Sequence, residues 1–286
     1  MTGFEDRYWS SRDGLRLHYR FYQGPENGRL PVLCLPGLTR NARDFEDIAP
    51  HLAQGRDVLC ADMRGRGDSD YAKDSATYNP LQYVEDVEAL LEEAGIAHFV
   101  ALGTSLGGLM TMLLALRDPV RIAGAVLNDI GPVIEAEGLA RIRSYVGSGR
   151  SFPTWMHAAR ALEESHEAAF PGADLADWLR MAKRMMAIGQ NGRIAFDYDM
   201  KIAEPFAAPG GEGGGDLWPG FTALAGCPVL VLRGELSDIL SAATAAEMGR
   251  RLPEAEILTI PGRGHAPTLD EPAAVAAIDR LLARCP

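Results

Sequence analysis

The sequence predicts an α/β fold: a mostly parallel central sheet with helices on both faces and a helical segment inserted between its strands. Three observations predict it. Short uninterrupted apolar runs recur along the chain, helical apolar patterns alternate with several of them, and one long central stretch breaks that rhythm.

The N-terminus differs from the rest of the chain. Leu15, Leu17, Tyr19 and Phe21 alternate with polar neighbours after the turn-forming Asp13-Gly14, so an antiparallel hairpin is expected, with Arg7 to Ser10 as its first arm. Val32 to Leu35, Val58 to Ala61, Phe99 to Leu102, Ala123 to Leu127, Val229 to Leu232 and Ile257 to Ile260 are continuous apolar runs. Strands of this composition are buried on both faces, as in a parallel sheet. Phe45, Ile48 and Leu52, then Val84, Val87, Leu90 and Leu91, and finally Val275, Ile278, Leu281 and Leu282 repeat at helical spacing.

Residues 132 to 218 carry helix-like segments and no convincing buried strand, so they are expected to form a helical cap inserted into a core domain of residues 1–131 and 219–286. The cap ends in a glycine-rich run, 207 to 215, whose backbone freedom predicts a mobile link. A phosphate-cradling role for these glycines fails because no strand precedes them and no Lys-Ser or Lys-Thr comes after.

Composition narrows the functional classes. A net charge of -11 repels phosphate backbones and anionic membranes, so nucleic acid and membrane surfaces are not expected as partners. No run of about eighteen apolar residues and no basic, apolar leader occurs, which predicts a soluble cytoplasmic protein. Cys34, Cys60, Cys227 and Cys285 are scattered without a Cys-x-x-Cys pair and read as reduced thiols. Self-association is left open.

The strongest chemical signal is Gly103-Thr104-Ser105-Leu106-Gly107, between an apolar run and an apolar helical segment. Ser105 is thereby placed on a strand-to-helix turn that lifts its hydroxyl clear of the sheet, with the N–H of Leu106 directed toward a developing oxyanion. A serine needs a base. Of six histidines, His265 alone lies in a loop between the last strand and the last helix, where it can reach the sheet's C-terminal edge. The carboxylate orienting His265 is expected to be Asp238, after the strand Val229 to Leu232, which gives the chain order Ser, Asp, His; Asp129 is the second candidate and Glu235 the third.

These residues resemble the α/β-hydrolase family across nearly the whole chain, and look most like its capped esterase, lactonase and carbon–carbon hydrolase members. The likeness rests on Leu35-Pro36-Gly37-Leu38, on Asp62-Met63-Arg64-Gly65-Arg66-Gly67-Asp68-Ser69, on the turn at Ser105, and on Gly262-Arg263-Gly264-His265-Ala266-Pro267. It implies that the N–H of Leu38 is the second oxyanion donor and that no cofactor is needed. Pro36 stands where such proteins usually carry a histidine that braces the oxyanion loop. The activity implied is hydrolysis of a small-molecule ester or lactone through an acyl-enzyme. Carbon–carbon cleavage of a diketone, acyl transfer, and a ligand receptor with a vestigial triad are the alternatives. Ser105 in place of a carboxylate argues against dehalogenase or epoxide hydrolase chemistry.

Other features have plainer readings. His157, Glu163, Glu164, His166 and Glu167 lack metal-ligand spacing and read as a solvated helix face, so no metal site is expected. Trp155, Trp178, Met181 and Met185 are the candidate pocket residues of the cap, while the helical spacing of Met181, Met185 and Met186 fits core packing equally well; Arg141 and Arg143 either meet a substrate carboxylate or face water.

Overall fold

The computed structural model describes residues 3–207 and 215–286, so most of the glycine-rich run lies outside the described residues. Its main sheet is built from β1 (Glu5–Ser10), β2 (Arg16–Tyr22), β3 (Val32–Leu35), β4 (Val58–Asp62), β5 (Phe99–Thr104), β6 (Ile122–Asn128), β10 (Val229–Gly234) and β11 (Glu256–Ile260). The order across the sheet is β1-β2-β4-β3-β5-β6-β10-β11. β1 pairs antiparallel with β2, and β2 antiparallel with β4; every later pair is parallel. The hairpin and the six apolar runs thus occupy the predicted places.

Alternation along these strands divides the core into two layers. Leu33, Leu59, Ala101, Leu127 and Val231 point to one face, where they meet α2 (Pro80–Glu93), α3 (Leu106–Arg117) and α9 (Ala242–Arg251). Val32, Cys34, Val58, Cys60, Leu102 and Leu232 point to the other, against α1 (Ile48–Leu52) and α10 (Pro272–Leu282). With both faces covered, β3 and β4 are buried throughout and β5, β6 and β10 nearly so, which is why their sequences read as continuous apolar runs, while β11 at the sheet edge is only partly buried. All four cysteines are free thiols, three of them buried.

Between β6 and β10 run α4 (Ala136–Tyr145), β7 (Ser151–Phe152), α5 (Trp155–His166), α6 (Leu175–Met185), β8 (Met186–Ile188), β9 (Ile194–Phe196), α7 (Ala203–Ala207) and α8 (Trp218–Thr222). The helices match the sequence pattern; the three-stranded antiparallel sheet β7-β9-β8 does not. Its strands are two or three residues long, too short for alternation to register. The segment has its own apolar cluster of Phe152, Leu162, Phe170, Trp178, Met185, Met186 and Ile194. Among the described residues no helix is long and apolar enough to cross a membrane.

Candidate active site

Three side chains converge at the C-terminal edge of the sheet, each at or just beyond a strand end. Ser105 stands between β5 and α3 with φ 53 and ψ -115. A non-glycine residue adopts that conformation only under constraint, and the constraint is close packing on either side. A Cβ on Gly103 would overlap the backbone of Gly107 and Gly108, and one on Gly107 would overlap the carbonyl of Leu35. Ser105 is the N-cap of α3, yet its side chain makes no capping hydrogen bond. The hydroxyl is left for His265: Ser105 Oγ donates to Nε2 at 2.8 Å.

The carboxylate behind the imidazole is Asp129, which corrects the expectation that Asp238 fills that place. His265 Nδ1 donates to Asp129 Oδ2 at 2.7 Å, and because a carboxylate only accepts, this bond fixes the tautomer that leaves Nε2 free to accept from serine. Asp129 is fully buried and comes directly after β6, with φ 57, a left-handed conformation that aspartate tolerates. The end of β10 and the loop after it contribute donors instead of the acid: Gly234 N–H at 2.7 Å and Ser237 Oγ at 2.6 Å. Asp238 is committed elsewhere. It holds Arg141 through two hydrogen bonds, Nε to Oδ2 and Nη2 to Oδ1 at 2.8 Å. Burial alone would push the Asp238 carboxyl up, but Arg141 outweighs it and holds the group below its ordinary value. Glu235 instead accepts from Gly262 N–H.

The loop carrying His265 is fastened from three sides. Asn128 Nδ2 donates to Pro267 O at 2.9 Å and to Thr104 Oγ1 at 3.1 Å, tying it to the ends of β5 and β6. Glu271 accepts from Arg263 Nε at 2.9 Å and from the N–H groups of Thr268 and Leu269 at 3.0 Å. Gly264 N–H donates to Ala169 O at 2.6 Å, so the segment between β6 and β10 also holds the loop.

Leu38 and Leu106 both border the space around Ser105. A Cβ on Gly37 would lie 3.7 Å from Ser105 Cβ, which shows how closely the Leu38 loop approaches the serine. That loop is braced by Arg66, which the sequence marks only as part of the Asp62 to Ser69 stretch. Arg66 is fully buried; its Nε donates to Leu38 O at 2.8 Å and its Nη1 to Arg64 O at 2.7 Å. Arg64 is anchored in turn by Asp86 and Asp13. Asp62 receives Ala42 N–H, Asp68 N–H and His18 Nδ1–H. His18, Asp62 and Asp68 are near enough to one another to share an ion, but Asp62's oxygens are already occupied by those donors.

Two cavities meet at Ser105 and Leu38. The larger, about 700 Å³, is lined chiefly by apolar side chains including Leu106, Leu109, Leu113, Ile130, Ile134 and Ile239. The smaller, about 110 Å³, contains His265 and is bordered by Arg40, Arg141, Tyr145 and His166. Met181 and Met185 are among the residues that line this smaller cavity. Trp155 and Trp178 do not: Trp178 is buried in the inserted segment's own cluster, edge-on to Phe170, and Trp155 packs against the same cluster. A segment of this size must bury a core of its own, and the tryptophans serve it. His166 departs from its expected solvated face. Burial, and secondarily the charge of Arg40, push its imidazole down to about 4. Arg143 is exposed.

Known proteins resemble the chain over most of its length. A 3-hydroxybutyrate-oligomer hydrolase of Cupriavidus necator is 34% identical over 91% of this chain and 90% of its own length. A 2-(acetamidomethylene)succinate hydrolase of Mesorhizobium japonicum is 28% identical over 84% of this chain and 83% of its own. A crystal structure of an alpha/beta hydrolase from Novosphingobium aromaticivorans is 65% identical, superimposes with a TM-score of 0.95 and covers 99% of both chains. The family model of the alpha/beta hydrolase fold matches residues 31–272, and the chain belongs to that family.

Proposed function

We propose that this hydrolase cleaves small-molecule carboxylic esters or lactones by way of an acyl-enzyme, with Ser105 as nucleophile, His265 as base and Asp129 orienting the base. The continuous hydrogen-bond relay from Ser105 Oγ through His265 to Asp129 carries the proposal. The imidazole takes the serine proton as Oγ bonds to the carbonyl carbon; the N–H groups of Leu38 and Leu106 receive the oxyanion. His265 then protonates the departing alkoxide. Water, deprotonated by the same imidazole, releases the acid. The segment 132–218 serves as a cap over the site, a reading supported by the residues it contributes to both cavities. The name of the first relative above, a hydrolase of 3-hydroxybutyrate oligomers, which are esters, supports the substrate class. The free thiols of all four cysteines suit a reducing, intracellular compartment.

The test is labelling with an active-serine phosphonate, located by mass spectrometry, beside a panel of nitrophenyl esters and lactones. An adduct on Ser105, turnover of some panel member, and loss of at least about a thousandfold in kcat on Ser105→Ala are expected. A folded protein that is neither labelled nor active would reject the mechanism.

A further inference from the structure

The two cavities at Ser105 differ in chemistry, and the position of the base assigns their roles. Whatever departs from the acyl carbon must take its proton from His265 Nε2, so the leaving group lies on the imidazole's side of the serine. His265 borders the smaller cavity, whereas Leu106 and the first turns of α3 border the apolar one. The acyl chain therefore occupies the apolar cavity and the leaving alcohol the smaller one.

Arg40, Arg141 and Arg184 line that smaller cavity, and Arg184 is committed to Glu46 and Asp47. Arg40 is held side-on by Asp44, through Nε at 2.7 Å and Nη2, and Arg141 is held in the same manner by Asp238. Each carboxylate occupies the Nε and Nη2 edge. Among the described residues no carboxylate or carbonyl engages either Nη1; Arg141 has the Tyr145 hydroxyl as a further partner, and with five N–H groups on each guanidinium both keep donors available. Both cations act on the same two neighbours, His166 and Tyr145, which places their heads around one region. Guanidinium donors suit planar, bidentate capture of a carboxylate. Because Asp44 and Asp238 already balance the charges, the cavity does not hold two uncompensated cations.

We infer, resting on the ester hydrolase reading above, that the leaving alcohol carries a carboxylate: the substrate is an ester of a short hydroxy acid, its acid end held by Arg40 and Arg141. A cavity of about 110 Å³, against about 700 Å³ on the apolar side, favours a short leaving group. In the step itself, the Ser105 Oγ to carbonyl carbon bond forms, the bond from that carbon to the alkoxy oxygen breaks, and the serine proton passes through His265 to the alkoxy oxygen. The hydroxy acid leaves; water then frees the acyl chain as a second acid.

The deciding measurement compares 3-(butanoyloxy)propanoate with its methyl ester. In the wild type, kcat/KM for the anion is expected to exceed that for the methyl ester at least tenfold. The ratio should fall at least tenfold in Arg141→Gln and in Arg40→Gln. Since either variant could fold poorly, inhibition of the wild type supplies a second readout: 3-hydroxypropanoate should compete with nitrophenyl butanoate, and 1-propanol at equal concentration should not. Equal rates for anion and methyl ester, an unchanged ratio in both variants, or equal inhibition by acid and alcohol would overturn the inference. If nitrophenyl butanoate is hydrolysed and Ser105 labelled in such a case, only the carboxylate assignment fails; if neither occurs, the hydrolase reading itself fails.

Discussion

Asp129 and Ser237 are 108 positions apart, yet the Ser237 hydroxyl donates to Asp129 Oδ2 at 2.6 Å, on the same oxygen that receives His265 Nδ1–H. The loop after β10 thus surrounds a carboxylate delivered by β6. Asp129→Asn keeps the shape but replaces an acceptor by an amide that favours the wrong imidazole tautomer. Its kcat on nitrophenyl butanoate is expected to fall about 10⁴-fold. Asp238→Asn, which leaves the relay intact, should cost about tenfold or less; steady-state kinetics on the two variants separates them, and a reversed ranking would reject Asp129 as the orienting acid.

Arg66 fixes the carbonyl of Leu38, and the N–H of the same residue is the proposed oxyanion donor. Arg66→Met releases that carbonyl, and displacement of a donor by about 1 Å can cost around a hundredfold. A drop of about tenfold to a hundredfold in kcat with little change in KM is expected, and Arg66→Lys, which lacks the two-nitrogen reach to Leu38 O and Arg64 O, should not restore it. A change confined to KM would contradict this role.

Gly107 and Gly262 make a paired test of the elbow. An added methyl at Gly107 meets the Leu35 carbonyl, which cannot retreat without distorting β3, whereas Gly262 has φ 63 and open space around it. Gly107→Ala is expected to lose about 3 kcal/mol or more in urea unfolding, at or beyond the upper end for overpacked sites. Gly262→Ala should lose about 1–2 kcal/mol, the ordinary cost of a left-handed alanine.

His18 couples stability to pH. Burial alone would lower the pKa of its imidazole, but hydrogen bonds to Asp62 at 2.7 Å and Asp6 at 3.0 Å, with the charge of Asp68, outweigh it and raise the group above its ordinary value. Both ring nitrogens donate to carboxylates, so the cation is the form the fold selects. The stabilisation is fully present below the unfolded value of about 6.5 and is lost as pH rises through the folded one. The melting temperature of the wild type should exceed that of His18→Gln most below about pH 6.5, and the gap should narrow toward pH 9.

Much of this molecule was legible in its residues, for a physical reason. A strand buried on both faces has almost no freedom of composition, so Val32 to Leu35 or Val229 to Leu232 declare themselves. Ser105 is equally plain, because only glycine fits at 103 and 107. The acid was harder. Asp129 and Asp238 both come after strands that end at the same edge, and chain order admits either; what separates them is enclosure, since Asp129 adjoins Asn128 at the strand end while Asp238 lies four residues beyond Gly234. That closeness was the available signal. Trp178 misled because apolar spacing in a helix is the same whether it faces a pocket or its own segment's core. His166 misled in the opposite sense: its charged sequence neighbours face water, and it alone turns toward Arg40 and Arg141.

The segment between β6 and β10 is fastened where a swinging lid would need to part. Arg184 reaches Glu46 at 2.8 Å and Asp47 at 2.5 Å, Arg43 reaches Asp197 at 2.5 Å, Tyr78 donates to Asp199 at 2.7 Å, and Gly264 N–H holds Ala169. Lifting it as a body would break these together, and hydrogen bonds to charged groups contribute about 1.5–3 kcal/mol each. Leu81 and Leu116, by contrast, are exposed at the apolar cavity's border. Traffic through that side needs only local side-chain and loop fluctuations, on the nanosecond to microsecond scale, and not the slower microsecond to millisecond displacement of a whole domain. Exchange with solvent is then expected to outpace bond breaking, so that kcat should not vary with solvent viscosity.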